Sequence, residues 1–176
     1  MKKYKAIAIP VSFSEGKPRF LTVRDWRFKE WIFITGGCRR REIYNPLRCA
    51  LRELEEETRG VVSLKSGEYT EFTFTVKESP MVDLEYSVFI LFVNFTRSEQ
   101  QAQVKKFYDE KSKTHIKKML KQPYRKTHDE NDYMSYDTLD EFNNKKRWKR
   151  IIDNVIKNPE FYSCITSLRR KTFSIK

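Results

Sequence analysis

A single α/β unit is the fold class the sequence predicts. Two observations carry it. Runs rich in Val, Ile and Phe alternate with amphipathic, helix-like segments, and one short apolar run leads through Gly36-Gly37 to an Asn-Pro helix start. At 176 residues the chain suits one domain spanning 1–176, with room for an insertion or a terminal extension.

Lys5 to Phe13 reads as a first strand, and Pro10 within it implies an edge or a bulge. Ser14-Glu15-Gly16-Lys17-Pro18 is turn chemistry, and Arg19 to Arg24 completes a hairpin. Trp31 to Ile34 reads as a short buried strand ending at Thr35-Gly36-Gly37, where two adjacent glycines let the backbone pass close to a ligand. Asn45 as N-cap and Pro46 as first helical residue start a helix. Along it Leu47, Ala50, Leu51 and Leu54 form a stripe toward the core, and Gly60 is placed to cap its end. Glu71 to Val76 and Tyr86 to Phe95 are strands, the second apolar enough to be central. Ser98 to Lys121 reads as a lysine-rich helix within a basic insertion over 97–126. Lys126 to Tyr136 reads as loop, and Tyr136 to Phe142 as a turn or helix start. Lys145 to Lys157 reads as a helix with Trp148, Ile151, Ile152, Val155 and Ile156 facing inward, opening a basic C-terminal segment over 145–176.

The densest chemistry lies in Arg52-Glu53-Leu54-Glu55-Glu56-Glu57. Helical spacing puts Glu53, Glu56 and Glu57 on one face, about 120° from the leucine stripe, so these carboxylates need not be buried. Crowded carboxylates repel unless cations lie among them, and hard oxygen donors at this density suit Mg²⁺ or Mn²⁺ with substrate phosphates completing the shell. On the run alone, a solvated acidic helix face is the commoner meaning of such a stretch.

Net charge is +12, unevenly spread: residues 97–126 hold ten basic against three acidic residues, and residues 145–176 hold ten against two. An acidic centre between basic flanks suits a metal site that holds a polyanion. Mean hydropathy is −0.74 and no apolar run is long enough to span a membrane. The three scattered cysteines imply neither a disulfide framework nor a zinc site, so a reducing, cytoplasmic setting is expected.

Strand, Gly-Gly, loop, then a helix bearing Arg-Glu-Leu-x-Glu-Glu resembles the Nudix hydrolase family, whose box is written Gly-x5-Glu-x7-Arg-Glu-U-x-Glu-Glu-x-Gly-U with U aliphatic. The likeness covers Gly36 to Val61. Counted from Gly37, the box's first Glu falls on Ile43 and its Arg on Leu51, so the loop is one residue longer. Glu42 is the residue to take that Glu's place. After Glu57 the chain reads Thr58-Arg59-Gly60, again one residue longer. The resemblance implies an α-β-α sandwich with a mixed sheet and Mg²⁺ or Mn²⁺ held by Glu53, Glu56 and Glu57. It also implies that Arg52 orients a carboxylate and that a further Glu outside the box, for which Glu130 is the candidate, serves as base or ligand. Gly36, Gly37, Arg24, Arg39, Arg40 and Arg41 are expected around the phosphates.

Among members of that family, the basic flanks resemble mRNA-decapping enzymes, including those of large DNA viruses. The expected substrate is then capped RNA, cleaved to methylated GDP and a 5′-monophosphate end. Lys105, Lys106, Lys117, Lys118, Lys121, Arg125 and Lys126 would follow the RNA backbone, with Phe107, Tyr108, Tyr124 and Trp148 as stacking surfaces. Trp26, Phe28 and Trp31 are further candidates to stack on a base. A nucleotide or dinucleoside-polyphosphate pyrophosphohydrolase, a diphosphoinositol polyphosphate hydrolase and a non-catalytic RNA-binding Nudix fold are the alternatives.

Overall fold

The protein is described by a computed structural model covering residues 1–13, 16–167 and 172–175. Ser14 and Glu15 of the expected turn, and Arg169, Arg170, Lys171 and Lys176 of the basic C-terminal segment, lie outside the described residues.

The elements run β1 (Lys2–Ser12), β2 (Arg19–Asp25), β3 (Trp31–Ile32), β4 (Ile34–Gly37), α1 (Pro46–Glu57), β5 (Tyr69–Ser79), β6 (Val82–Phe92), α2 (Arg97–Met119), β7 (Asn131–Asp137), α3 (Leu139–Asn143), α4 (Lys149–Ile156) and α5 (Pro159–Ser167). The sheet order is β3-β2-β1-β6-β5, with β4 also on β1 and β7 also on β2. β1 and β6 are parallel from Lys2↔Asp83 to Val11↔Phe92 and the remaining pairings are antiparallel, so the sheet is mixed.

Side chains alternate across β1 and divide the core in two. Ala6 and Ala8 pack with Cys49, Ala50 and Leu54 of α1 and Phe107 of α2. Ile7, Ile9 and Val11 pack on the other face with Phe142, Ile151, Ile152, Val155 and Phe161 of α3 to α5. Two alanines beneath α1 let that helix approach the sheet closely, which brings its carboxylates to β4. The result is an α/β/α sandwich, as the fold class required.

Several expectations need correction. β1 is central, not an edge, and Pro10 is tolerated because β4 pairs with β1 only as far as Ala8 while β2 begins at Val11. The 31–34 run is split, β3 pairing with β2 and β4 with β1, so Gly36 and Gly37 belong to a strand and do not merely follow one. Asn45 occupies the N-cap without a side-chain capping bond, so Pro46 at the first helical position carries that start. Residues 131–136, expected as loop, form β7 beside β2 together with Asp137. The helix expected over Lys145 to Lys157 is α4, which starts later at Lys149, and a further helix, α5, follows it. Among the described residues no helix is long and apolar enough to cross a membrane.

Candidate active site

Arg52 is the hub of the acidic helix. Its Nε and Nη2 donate to Glu42 Oε2 and Oε1, each at 2.8 Å. Its Nη1 donates to Glu53 Oε1 at 2.9 Å and to Glu56 Oε2 at 3.1 Å, and Nη2 also reaches the Gly37 carbonyl at 3.0 Å. One guanidinium thus ties the loop after β4 to two carboxylates of α1. Glu42 is buried, accepts from the Arg39 backbone N–H at 2.8 Å, and is held below the usual carboxylate range chiefly by Arg52.

Glu53 and Glu57 are also buried, which corrects the expectation that the acidic face need not be. Gly36 makes room for Glu53: a Cβ there would stand 2.0 Å from the Glu53 carboxyl carbon. Burial pushes the Glu53 and Glu57 carboxyls above the ordinary range, and their mutual repulsion raises Glu57 further. Arg52 pulls Glu53 the other way. Glu57 Oε2 is buried and has no hydrogen-bond partner among the described residues. An orphaned carboxylate oxygen beside a second buried carboxylate is a donor set that a hard dication would satisfy. Among the described residues no three His, Cys, Asp or Glu side chains converge into a ready cage, with Glu53 and Glu56 held by Arg52. That arrangement still fits Mg²⁺, which is usually held by one or two carboxylates and otherwise by water and substrate phosphates.

Beside Glu57 lies a cavity of about 320 Å³ whose lining includes Thr35, Glu130 and Asn131 along with the aromatic side chains of Phe28 and Trp148. Phe28 is 65% exposed, unusual for a phenylalanine that serves only the core. Glu130 is raised above its ordinary range, by burial first and by Glu56 and Asp25 as well, while Arg27 opposes the shift. A larger cavity of about 650 Å³ flanks the other side of α1 and takes in Arg39, Arg48, Lys65 and Arg125 together with Glu56.

The expected residues divide accordingly. Glu42, Arg52, Glu53, Glu56, Glu57, Gly36 and Gly37 come together, and Glu130 shares a cavity with Glu57. Arg39 reaches Glu56 Oε1 at 3.4 Å, while Arg40 and Arg41 are exposed on a short 3₁₀ turn. Arg24 is not free for a phosphate: its Nε and Nη2 grip both oxygens of Asp132 at 3.0 and 2.7 Å, and it stacks over Tyr133. Trp31 stacks on Tyr133, and Trp26 lines a separate small cavity. Lys105, Lys106, Lys117, Lys118 and Lys121 stand exposed on or just after α2, followed by exposed Arg125 and Lys126. Phe107 is buried in the core and unavailable for stacking.

Asn131 escaped notice in the sequence. Its Nδ2 donates to the Glu57 carbonyl at 3.1 Å, and it lines the same cavity. Nothing local marks it, since it opens a strand whose buried positions mix polar Asn131, Asp132 and Asp137 with Met134 and Tyr136.

A profile of the NUDIX domain matches residues 2–152. No curated protein matches the chain. Among solved structures, the NUDIX domain of Shewanella oneidensis NrtR complexed with ADP ribose superimposes with a TM-score of 0.55 at 10% identity, covering 86% of this chain and 83% of that one. The C-terminal domain of mouse MUTYH, in complex with human PCNA, gives 0.50 at 15% identity over 94% and 88%. At these identities the likeness speaks for the fold alone.

Proposed function

The chain belongs to the NUDIX domain family, and from that premise we propose that this Nudix hydrolase of nucleoside-diphosphate-linked substrates acts on capped RNA, releasing methylated GDP and leaving a 5′-monophosphate end. The observation that carries the reading is the cavity shared by Glu57 and Glu130 and walled by Phe28 and Trp148. It offers carboxylates where a phosphoanhydride must be attacked and aromatic faces where a base must stack. A methylated, cationic guanine gains from both, by cation–π attraction and by the nearby Asp25 and Glu30. The exposed lysines of α2 favour a long polyanion over a free nucleotide.

Glu53, Glu56 and Glu57 are the residues that would hold Mg²⁺ or Mn²⁺, which when bound supplies charge neutralisation of the polyphosphate and a more acidic water. Arg52 keeps Glu53 and Glu56 oriented, and Gly36 keeps the strand out of the Glu53 carboxylate's way. Glu130, with its raised proton affinity, accepts a proton from the attacking water. The new O–P bond forms as the anhydride P–O bond breaks, and the leaving phosphate departs with the electron pair as an oxyanion. Phe28 and Trp148 hold the base so that the anhydride lies over the carboxylates.

The test is cap-labelled RNA with Mn²⁺, with free cap dinucleotide, nucleoside triphosphates, dinucleoside polyphosphates and diphosphoinositols run beside it. Release of methyl-GDP, strongly favoured from capped RNA and lost in Glu57→Gln and Glu130→Gln, is expected. Equal rates on capped RNA and cap dinucleotide would remove the RNA from the proposal. Turnover confined to another member of the panel would replace the substrate.

A further inference from the structure

Outside the carboxylate site, one buried cation is left unsatisfied among the described residues. Arg59 follows α1 with a φ of +58°, and its side chain is 5% exposed. Its Nη2 donates to Asp129 Oδ1 at 3.1 Å and to the Asn131 carbonyl at 2.7 Å. Its Nε and Nη1 are buried with no hydrogen-bond partner among the described residues. A guanidinium carries five N–H donors, and leaving the three on Nε and Nη1 dry is costly unless something fills the place. The face of Phe107, 5.3 Å from the guanidinium carbon, compensates only in part.

Arg59 lines a cavity of about 390 Å³ between the C-terminal half of α2 and the 123–128 segment, with Lys117, Arg125, Tyr124, His128 and Glu110 around it. The local carboxylates are already engaged. Glu110 pairs with Lys113, and Asp129 with both Arg59 and Lys118. Lys117 and Arg125 have no ion-pair partner among the described residues. Burial holds the His128 imidazole below its ordinary value, with Arg125 adding to the effect, so at neutral pH it offers a hydrogen bond without charge. The cavity is thus concave, cationic and aromatic on one wall.

We propose that this cavity is a phosphate-binding site built on the Arg59 guanidinium, with Lys117 and Arg125 at its rim, adjoining through Arg125 and His128 the larger cavity beside Glu56. A phosphate there is attracted by Arg59 through low-dielectric protein, and accepts from its Nε–H and Nη1–H once the side chains covering them turn aside. The site is wired to the acidic helix, since the Asn131 residue that accepts from Arg59 donates to the Glu57 carbonyl. A phosphodiester of an RNA body and a free polyphosphate share this chemistry. The RNA source alone rests on the substrate reading above.

The experiment is done on the full chain in EDTA, so that metal-dependent binding at the carboxylates does not contribute. The probes are tripolyphosphate and a short uncapped oligoribonucleotide with a 5′-hydroxyl. The Nε–H of Arg59 is buried and should give a resolved proton–nitrogen resonance, and that resonance is expected to shift on titration. Lys117→Ala and Arg125→Ala should each weaken binding about fivefold or more, and Arg59→Lys, which keeps the charge and loses the planar fork, about tenfold. Lys77→Ala on β5 removes a charge from outside the cavity and should leave affinity unchanged. Because Arg59 is buried, the rim variants keep the test decisive if its replacements do not fold. A shift with both probes assigns the RNA backbone as the source; a shift with tripolyphosphate only assigns a free polyphosphate. An unmoved Arg59 resonance under saturating probe overturns the proposal. So do rim variants that bind no more weakly than Lys77→Ala. Hydrolysis with Mn²⁺ is scored separately, so either result leaves the proposed reaction to its own test.

Discussion

Arg52 holds both oxygens of Glu42, Nε to Oε2 and Nη2 to Oε1 at 2.8 Å each, across a pair whose acidic partner is 6% exposed. Breaking a buried pair of this kind leaves one charge stranded. Glu42→Gln is expected to destabilise the protein by about 3 kcal/mol and to lower kcat as Arg52 loosens. The sign with pH follows from Glu42 being held below its ordinary value in the folded state. Its stabilisation is present above the unfolded pKa and is lost as pH falls through the folded one. Urea titrations at stepped pH should show the gap between wild type and Glu42→Gln closing on acidification below about 4. A gap independent of pH would contradict the pairing.

Glu57 works in the opposite sense. Its folded-state pKa is raised, so the unfolded carboxyl ionises first and stability falls as pH rises above the unfolded value. In EDTA at pH 8, Glu57→Gln is expected to melt several degrees above wild type, since about 1 kcal/mol moves Tm by roughly 2–4 °C in a chain this size. Mn²⁺ should raise the Tm of wild type and leave that of the variant unmoved, while the variant loses turnover. A variant that melts below wild type in EDTA would show that Glu57 is no burden to the apoprotein.

The two glycines of β4 have unequal duties. A Cβ at Gly36 would stand 2.0 Å from the Glu53 carboxyl carbon, whereas one at Gly37 meets nothing within 4 Å. Gly36→Ala is expected to destabilise by about 1–3 kcal/mol, as overpacking does, and to lower kcat at least tenfold by displacing Glu53. Gly37→Ala should be near neutral in both. Thermal melts and initial rates on the pair check this directly, and equal effects at the two positions would refute the distinction.

Phe28 is exposed and lines the cavity beside Glu57, so its ring has little core packing to lose. Phe28→Ala is expected to leave Tm within a degree or two of wild type and to raise KM by roughly tenfold, since base stacking on an aromatic is worth about 1–3 kcal/mol. Phe28→Tyr should restore it. An unchanged KM would place the base elsewhere.

Much of this site was legible in the chain itself. Helix capping, glycine pairs and the spacing of carboxylates are local properties, so the Asn45-Pro46 start, the leucine stripe and the Arg52-centred run could be read without tertiary knowledge. Burial of Glu53 and Glu57 could not. It depends on β4 lying against α1, which depends in turn on Ala6 and Ala8 of β1 letting the helix settle close to the sheet. β7 was invisible for a related reason. Its buried residues include Asn131, Asp132 and Asp137, polar groups tolerated because distant partners satisfy them: Glu57, Arg24 and Thr22. Only Met134 and Tyr136 keep a period-two apolar pattern, too short a run to announce a strand.

The sequence by itself determined the α/β class, the acidic helix and the charge imbalance, because each rests on residues near one another in the chain. Only the tertiary structure decided which carboxylates are dry, that Arg24 is spent on Asp132, and that Arg59 is buried with two of its nitrogens unmatched among the described residues. Those are questions of desolvation and partnership, and burial is a property of the whole packed molecule that no local pattern carries.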